Sequence, residues 1–208
     1  MRGFSDEERD RIREELILTG RELFLRYGPE KTNVSDVTEP VGIAKSTFYR
    51  FFDSKAELYL VVFLREREEF LAEVRADLAD VEDAETGLVR LFEDYVVWLE
   101  RSPILQHVLG EWNHDATLQG VPDERLQRHK REAMAEFVPF FTEWQARGEM
   151  RDVDPDVVLG MMVGVGLLAL QRSAFDDRRP GLYDAVRDAM VVALARGLTT
   201  NAEEGWEQ

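Results

Sequence analysis

Residues 32–58 read TNVSDVTEPVGIAKSTFYRFFDSKAEL, and two short helical patterns meet there at a glycine while a third begins at its end. Val34, Val37 and Val41 recur at i, i+3 and i+7 and mark one apolar helix face. Gly42 follows, a residue that takes the positive φ of a tight turn without steric cost. Ile43, Phe48 and Phe52 then supply the apolar face of a second helix, whose outward positions are Lys45, Ser46, Thr47, Tyr49 and Arg50. Those are cationic and hydrogen-bonding groups on one short exposed helix, the chemistry that a DNA major groove and its flanking phosphates require. Thr32 and Asn33 stand where an N-cap is wanted for the first helix, and each is also able to bond a phosphate beside that helix N-terminus. The spacing predicts a helix-turn-helix; it also permits a helical hairpin with a glycine turn and no nucleic-acid partner.

The ordered string GIAKSTFYRFFDSKAEL, residues 42–58, is similar to the recognition helix and the start of the next helix in the TetR family of transcriptional regulators. The likeness runs back through ELILTGRELFLRYGPEKTNVSDVT, residues 15–38, which resembles that family's first helix, its terminating glycine and the start of the second. Beyond residue 60 only length and helical pattern agree. The resemblance implies an all-α homodimer, with a helix-turn-helix DNA-binding domain over 1–58 and an effector-binding and dimerisation domain over 59–208. It places Lys45, Ser46 and Thr47 at base edges and nearby phosphates, the Tyr49 hydroxyl on a phosphate, and Lys55 on another. Arg50 either reaches DNA or pairs with Asp53 or Glu57. Three residues depart from the family's pattern. Pro40 removes a backbone donor near the end of the second helix, and Ala44 stands where a Ser or Thr cap, worth about 1 kcal/mol, is usual. Phe51 replaces a common Tyr or His and offers a thymine methyl an apolar contact instead.

Two hundred and eight residues suffice for one or two domains with a sizeable core. The absence of cysteine excludes disulfides and thiolate metal sites and fits a reducing cytoplasm. The polar, acidic N-terminus is unlike a targeting segment. The longest apolar run, Val157–Leu170, has 14 residues, short of the roughly 20 needed to span a bilayer. A cytoplasmic protein without a membrane partner is therefore expected. The net charge of −16 argues against a generic nucleic-acid binder, but it is unevenly spread. Residues 1–58 carry 10 Lys+Arg against 12 Asp+Glu, a net of −2, which leaves −14 for residues 59–208. DNA should meet the near-neutral part. Only Lys31, Lys45, Lys55 and Lys130 are lysines, and such acidic, lysine-poor composition resembles that of halophile proteins.

Nine helices are expected along the chain. Ser5 and Glu8 have capping-box spacing and open the first, which ends at Gly28-Pro29. Its start, Gly3–Arg13, is also readable as an arm carrying Arg2, Arg9, Arg11 or Arg13 towards DNA, opposed by the interleaved acids. Ser54 with Glu57 opens a long helix to about Ala79. Helices over 87–100, 103–112, 123–147 with a kink at Pro139, 155–170 and 183–198 complete the pattern. By the resemblance, Phe92, Tyr95, Trp98, Trp112, Phe137, Phe141 and Trp144 line an effector cavity, and rigid aromatics suit an apolar ligand; ordinary core packing is the alternative for each. By the same resemblance Val158, Met162, Gly166, Val186, Met190 and Leu194 face a second copy across a two-fold axis, and a near-palindromic operator follows. His107, Glu111 and His114 share a helix region, but the Glu-x-x-His spacing of di-metal sites occurs once where two are needed. No nucleophile–base set or phosphate loop is present, so no catalytic residue and no cofactor is expected. The whole predicts a ligand-responsive repressor on double-stranded DNA with an unknown small-molecule effector. Activation instead of repression, and a helical sensor or enzyme without DNA binding, are the alternatives.

Overall fold

The computed structural model describes residues 4–110, 124, 128, 132 and 135–199. All regular structure among them is helical: α1 (Asp6–Tyr27), α2 (Val34–Val41), α3 (Lys45–Phe48), α4 (Lys55–Leu78), α5 (Ala84–Arg101), α6 (Pro103–Gly110), α7 (Val138–Ala146), α8 (Pro155–Leu167), a 3-10 turn (Leu168–Gln171), α9 (Arg172–Asp176) and α10 (Leu182–Thr199). The chain divides into two compact units, Met1–Glu69 with Ser102–Leu126 and Phe70–Arg101 with Gln127–Gln208.

In the first unit α1 begins where Ser5 Oγ accepts the Glu8 N–H at 3.2 Å. Asp6, Glu7 and Glu8 in the first turn complement the helix dipole. Ile12, Leu16, Ile17 and Phe24 bury one face of α1. At Gly20 that face lies so near α4 that a Cβ would stand 3.0 Å from Leu58 Cδ2. The unit extends past residue 58 because later residues complete its core. Tyr59 is fully buried and its hydroxyl donates to the Ile104 carbonyl at 3.1 Å, and the Ile104 side chain joins the same core. Glu66, 6% exposed, accepts Arg21 Nε at 3.3 Å on one oxygen and Ser102 Oγ at 2.8 Å on the other. Ser102 Oγ in turn accepts the Leu105 N–H and caps α6.

In the second unit α5 packs on α8 and α10, burying Leu88, Leu91, Phe92, Tyr95, Val96 and Leu99. Two glycines set the approach distances. A Cβ on Gly87 would lie 2.3 Å from Trp144 Cζ2, and one on Gly166 would lie 2.5 Å from Tyr95 Cε1. The helix expected over 123–147 is interrupted by a turn at 136–137, and α7 starts at Val138 with Pro139 in its first turn. Proline is tolerated there because the N–H it lacks has no helical acceptor. The Tyr183 hydroxyl donates to Glu100 Oε1 at 2.7 Å. Arg172 and Arg187 lie 4.8 and 5.7 Å from the Tyr183 ring centroid, tying α5, α9 and α10 together.

Among the described residues of this unit, Asp94 is a carboxyl raised into the mid-range. Burial, then Asp77 and Glu93, raise its carboxyl to about 6 against the pull of Arg90, with Glu73 also raising it. Its Oδ2 is buried without a hydrogen-bond partner. The native pKa exceeds the unfolded one, so the native state holds the proton more tightly and Asp94 weakens the fold as pH rises through about 6. Asp94→Asn is expected to raise the melting temperature at neutral pH. The gain is of order 1 kcal/mol or less, because the group is part-exposed. It should fade between pH about 6 and the ordinary value of 3.8, and paired thermal melts at the two ends of that window check it.

Candidate nucleic-acid interface

Asn33 is the N-cap of α2, and its N–H donates to Asp36 Oδ2 at 2.7 Å. At the other end Gly42 has φ 74°, the left-handed conformation that lets Ile43 N–H return to the Thr38 carbonyl at 3.2 Å. Pro40 is accommodated inside α2, one residue before its end. After this turn α3 is short. Ala44 supplies no side-chain cap, and by residues 50–51 the bonding has tightened to Arg50 N–H→Thr47 O and Phe51 N–H→Phe48 O. Phe48 is fully buried, packing edge-on to Tyr49 at 5.4 Å and against Phe52 at 5.5 Å. With that anchor inward, Lys45, Ser46, Tyr49 and Arg50 are exposed, Thr47 is half-buried, and Asn33 is exposed at the start of α2. Tyr49 presents 51% of its surface.

Thr32 and Lys55 are placed differently. Thr32 is 1% exposed and donates Oγ1 to the Gly28 carbonyl at 2.8 Å. Lys55 Nζ donates to the carbonyls of Pro29 at 2.6 Å and Thr32 at 2.8 Å. Loop carbonyls after a helix lack helical donors, and the ammonium satisfies two of them. Burial lowers the Lys55 pKa, opposed by Glu30 and Asp36. Together the two residues clasp the α1–α2 loop to the start of α4. Lys55→Met, leaving both carbonyls without this donor, is expected to cost about 2 kcal/mol, read as a lowered urea midpoint with unchanged m-value. Arg50 forms no ion pair with Asp53 or Glu57 among the described residues; its guanidinium lies over Phe4. Glu57 Oε2 accepts the Asp53 N–H at 2.6 Å instead.

The described aromatics expected around an effector lie in or against the core of the second unit. Phe92, Tyr95, Phe137, Phe141 and Trp144 are buried, and Trp98 is half-buried and stacked on Phe70 at 4.3 Å. Burial pushes the Tyr95 hydroxyl pKa up. Trp112 lies outside the described residues, as do Glu111, His114 and the side chain of His107. A cleft of about 420 Å³ opens in the first unit, lined by Leu23, Tyr27, Lys31, Thr32, Asp36, Glu39 and Pro40. None of the described residues expected at the effector lines it.

Of the six residues expected to face a second copy, Val158 and Met162 are fully buried in their own chain, and Gly166 lies against Tyr95 and Leu99. They belong to the intrachain face of α8, because that face packs on α5. The opposite edge carries Val157, 48% exposed, Gly160, Gly164 and Leu167, 41% exposed. On α10, Val186, Met190 and Leu194 are half-buried beside exposed Ala185, Ala189 and Ala193. The helical run Pro155–Asp176 has a mean hydropathy of 1.6 in its most apolar window, of which 28% is buried. By length and composition alone it is long and apolar enough to cross a membrane.

A buried phenylalanine holding an exposed cationic and hydroxyl-rich helix after a glycine turn defines the class: a helix-turn-helix protein. Residues 16–62 match the model of the bacterial regulatory proteins, tetR family. That match covers the helix-turn-helix module and no more of the chain. The chain is 30% identical over 91 residues to the transcriptional activator FasR of Mycolicibacterium smegmatis, covering 42% of each chain. It is 42% identical over 62 residues to the transcriptional regulator TcmR of Streptomyces glaucescens, covering 30% of this chain and 27% of that one. The match thus spans less than half the length of these curated relatives, both of which are transcriptional regulators. The fold is similar to that of the regulator FadR from Bacillus subtilis, solved in complex with stearoyl-CoA. The TM-score is 0.62 at 16% identity, over 89% of this chain and 98% of that one.

Proposed function

We propose that the protein is a homodimeric, sequence-specific transcriptional regulator that sets Lys45, Ser46, Thr47, Tyr49 and Arg50 into the major groove of a near-palindromic operator. The observation that carries this reading is the exposure of Lys45, Ser46, Tyr49 and Arg50, on α3 and just after it, around fully buried Phe48 and inside the segment that matches the family. Selection of binding sites by the wild-type protein from a randomised duplex library tests it. Enrichment of a two-fold symmetric sequence is the expected result, and failure to enrich any sequence sinks the reading. A Lys45→Ala, Tyr49→Phe variant should bind the selected site at least tenfold more weakly, the loss of roughly 1.4 kcal/mol or more expected for two phosphate or base contacts.

The second copy is proposed to cover the exposed edge of α8, at Val157, Gly160, Gly164 and Leu167, together with the outer side of α10. A Val157→Glu, Leu167→Glu variant should be monomeric by light scattering where the wild type is dimeric. The effector is proposed to be a small apolar molecule taken up in the second unit. Support comes from its aromatic side chains and from a similarly folded regulator that holds an acyl-CoA. Effector and operator must then weaken each other's binding by the same factor. The expected sign is repression. Similarity to an activator favours activation as a second reading, and a promoter carrying the selected site, assayed with and without the protein, decides by the direction of the change. The cytoplasm is the proposed site of action. The acidic, lysine-poor composition further supports operator binding that persists in molar salt, where groove contacts replace long-range attraction.

A further inference from the structure

One cluster on the first unit joins the start of the first helix to the contact set at Arg50. Arg9, Arg13 and Arg50 are exposed, and each guanidinium lies over a phenylalanine ring. The distances to the ring centroids are 5.9 Å from Arg9 to Phe51, 5.2 Å from Arg13 to Phe52 and 5.2 Å from Arg50 to Phe4. Phe4 packs on Phe51 at 6.2 Å, and Arg9 Nη2 donates to the Arg50 carbonyl at 3.3 Å. The start of α1 is thereby fastened to the turn that follows α3.

The chain carries 42 Asp and Glu against 26 Lys and Arg, so an unpaired arginine on it calls for a reason. Three other arginines of this unit are paired, Arg11 with Glu15 at 2.7 Å, Arg21 with Glu66 and Glu69, and Arg65 with Glu14, while Arg26 lies over its neighbour Tyr27 at 5.2 Å, away from this cluster in sequence. Among the described residues Arg9, Arg13 and Arg50 have no carboxylate oxygen within 4.0 Å. Arg9 and Arg13, four apart, share one side of α1. Glu7 falls on the opposite side at about 100° per residue, and Asp6 and Asp10 flank the arginines without pairing. A ring beneath a guanidinium fixes its plane and leaves its N–H edge free, and that planar fork suits phosphate oxygens. Arg50 directly follows Tyr49, so the patch is continuous with the exposed face of α3.

We propose that Arg9, Arg13 and Arg50 form a second phosphate-binding surface, with which the first helix grips the DNA backbone beside the groove that α3 enters. It rests on the DNA-binding reading above. The test measures log Kd against log salt on the site selected from the randomised library, for the wild type, Arg9→Gln with Arg13→Gln, and Arg11→Gln. Each phosphate contact contributes about 0.9 to the slope, so the double variant, which removes two contacts from each protomer of the dimer, should lose about 3.6 from it. Arg11→Gln should change nothing, since Glu15 already neutralises that charge. Arg9→Lys with Arg13→Lys should keep the slope, which separates loss of charge from damage to the fold. A double variant with the wild-type slope overturns the proposal. So does one with that slope and a lower self-association in light scattering, which would make an acidic surface of a second copy the occupant. A wild type that enriches no duplex sinks the DNA-binding reading itself, and this surface with it.

Discussion

Replacing Phe48 with alanine is expected to abolish operator binding and to cost about 3–5 kcal/mol of stability, the range for emptying a phenylalanine site in a core. Native domains have only about 5–15 kcal/mol in hand, so the change removes a large share of the total. Three contacts make the site costly to empty. Phe48 is fully buried, meets Tyr49 edge-on, and supports Phe52, itself 2% exposed. α3 has four residues and no side-chain cap, so nothing local would keep it helical once that anchor is gone. Urea denaturation followed by far-UV circular dichroism, with operator binding in parallel, measures both effects. Phe48→Leu should recover most of the stability, since it keeps the site apolar and nearly filled. Wild-type stability in Phe48→Ala would contradict the anchoring role.

The second large effect concerns Trp144. Truncation to alanine should again cost about 3–5 kcal/mol, and the partner that makes the site informative is Gly87. In an ordinary helix Gly→Ala stabilises by about 1 kcal/mol. At Gly87 the added carbon would stand 2.3 Å from Trp144 Cζ2 and 2.7 Å from Cη2. Overpacking, about 1–3 kcal/mol, then outweighs the propensity gain, and Gly87→Ala should destabilise. Combined with Trp144→Ala the same substitution should stabilise, because the ring that opposed it has gone. The double-mutant cycle is therefore expected to show a coupling whose sign favours the pair. Strict additivity would mean that the two residues do not compete for the same space.

Those two sites differ in how far the sequence anticipates them. Phe48 follows from helical spacing beside Gly42, and the exposed set from Lys45 to Arg50 is its geometric complement, so both are readable from a 3.6-residue period. The caps at Ser5, Ser54 and Asp154 are local and equally legible. Trp144 against Gly87 is not, since 57 residues separate them and only the tertiary fold brings them together. The Lys55 clasp is hidden for the same reason: a lysine at the first turn of a helix carries no sign that loop carbonyls 23 and 26 residues away will accept its hydrogen bonds. The faces of α8 were unreadable for another cause. The helix is apolar nearly all round, so no period separates Val158 and Met162, which pack inward, from Val157 and Leu167, which do not. Phe4 beneath Arg50 required the start of the chain to return across 46 residues.

The placement of Ile104 and Ser102 among the residues of the first unit bears on how this protein can be recombined with others. A chimera made by cutting after residue 69 would transplant the helix-turn-helix without the Ile104 side chain that joins its core, without an acceptor for the Tyr59 hydroxyl, and without the Ser102 donor to Glu66. The inherited module is thus encoded in two separated stretches of gene. Exchange of DNA-binding specificity between relatives by a single crossover would be selected against at this junction unless residues from 102 onward travelled with it.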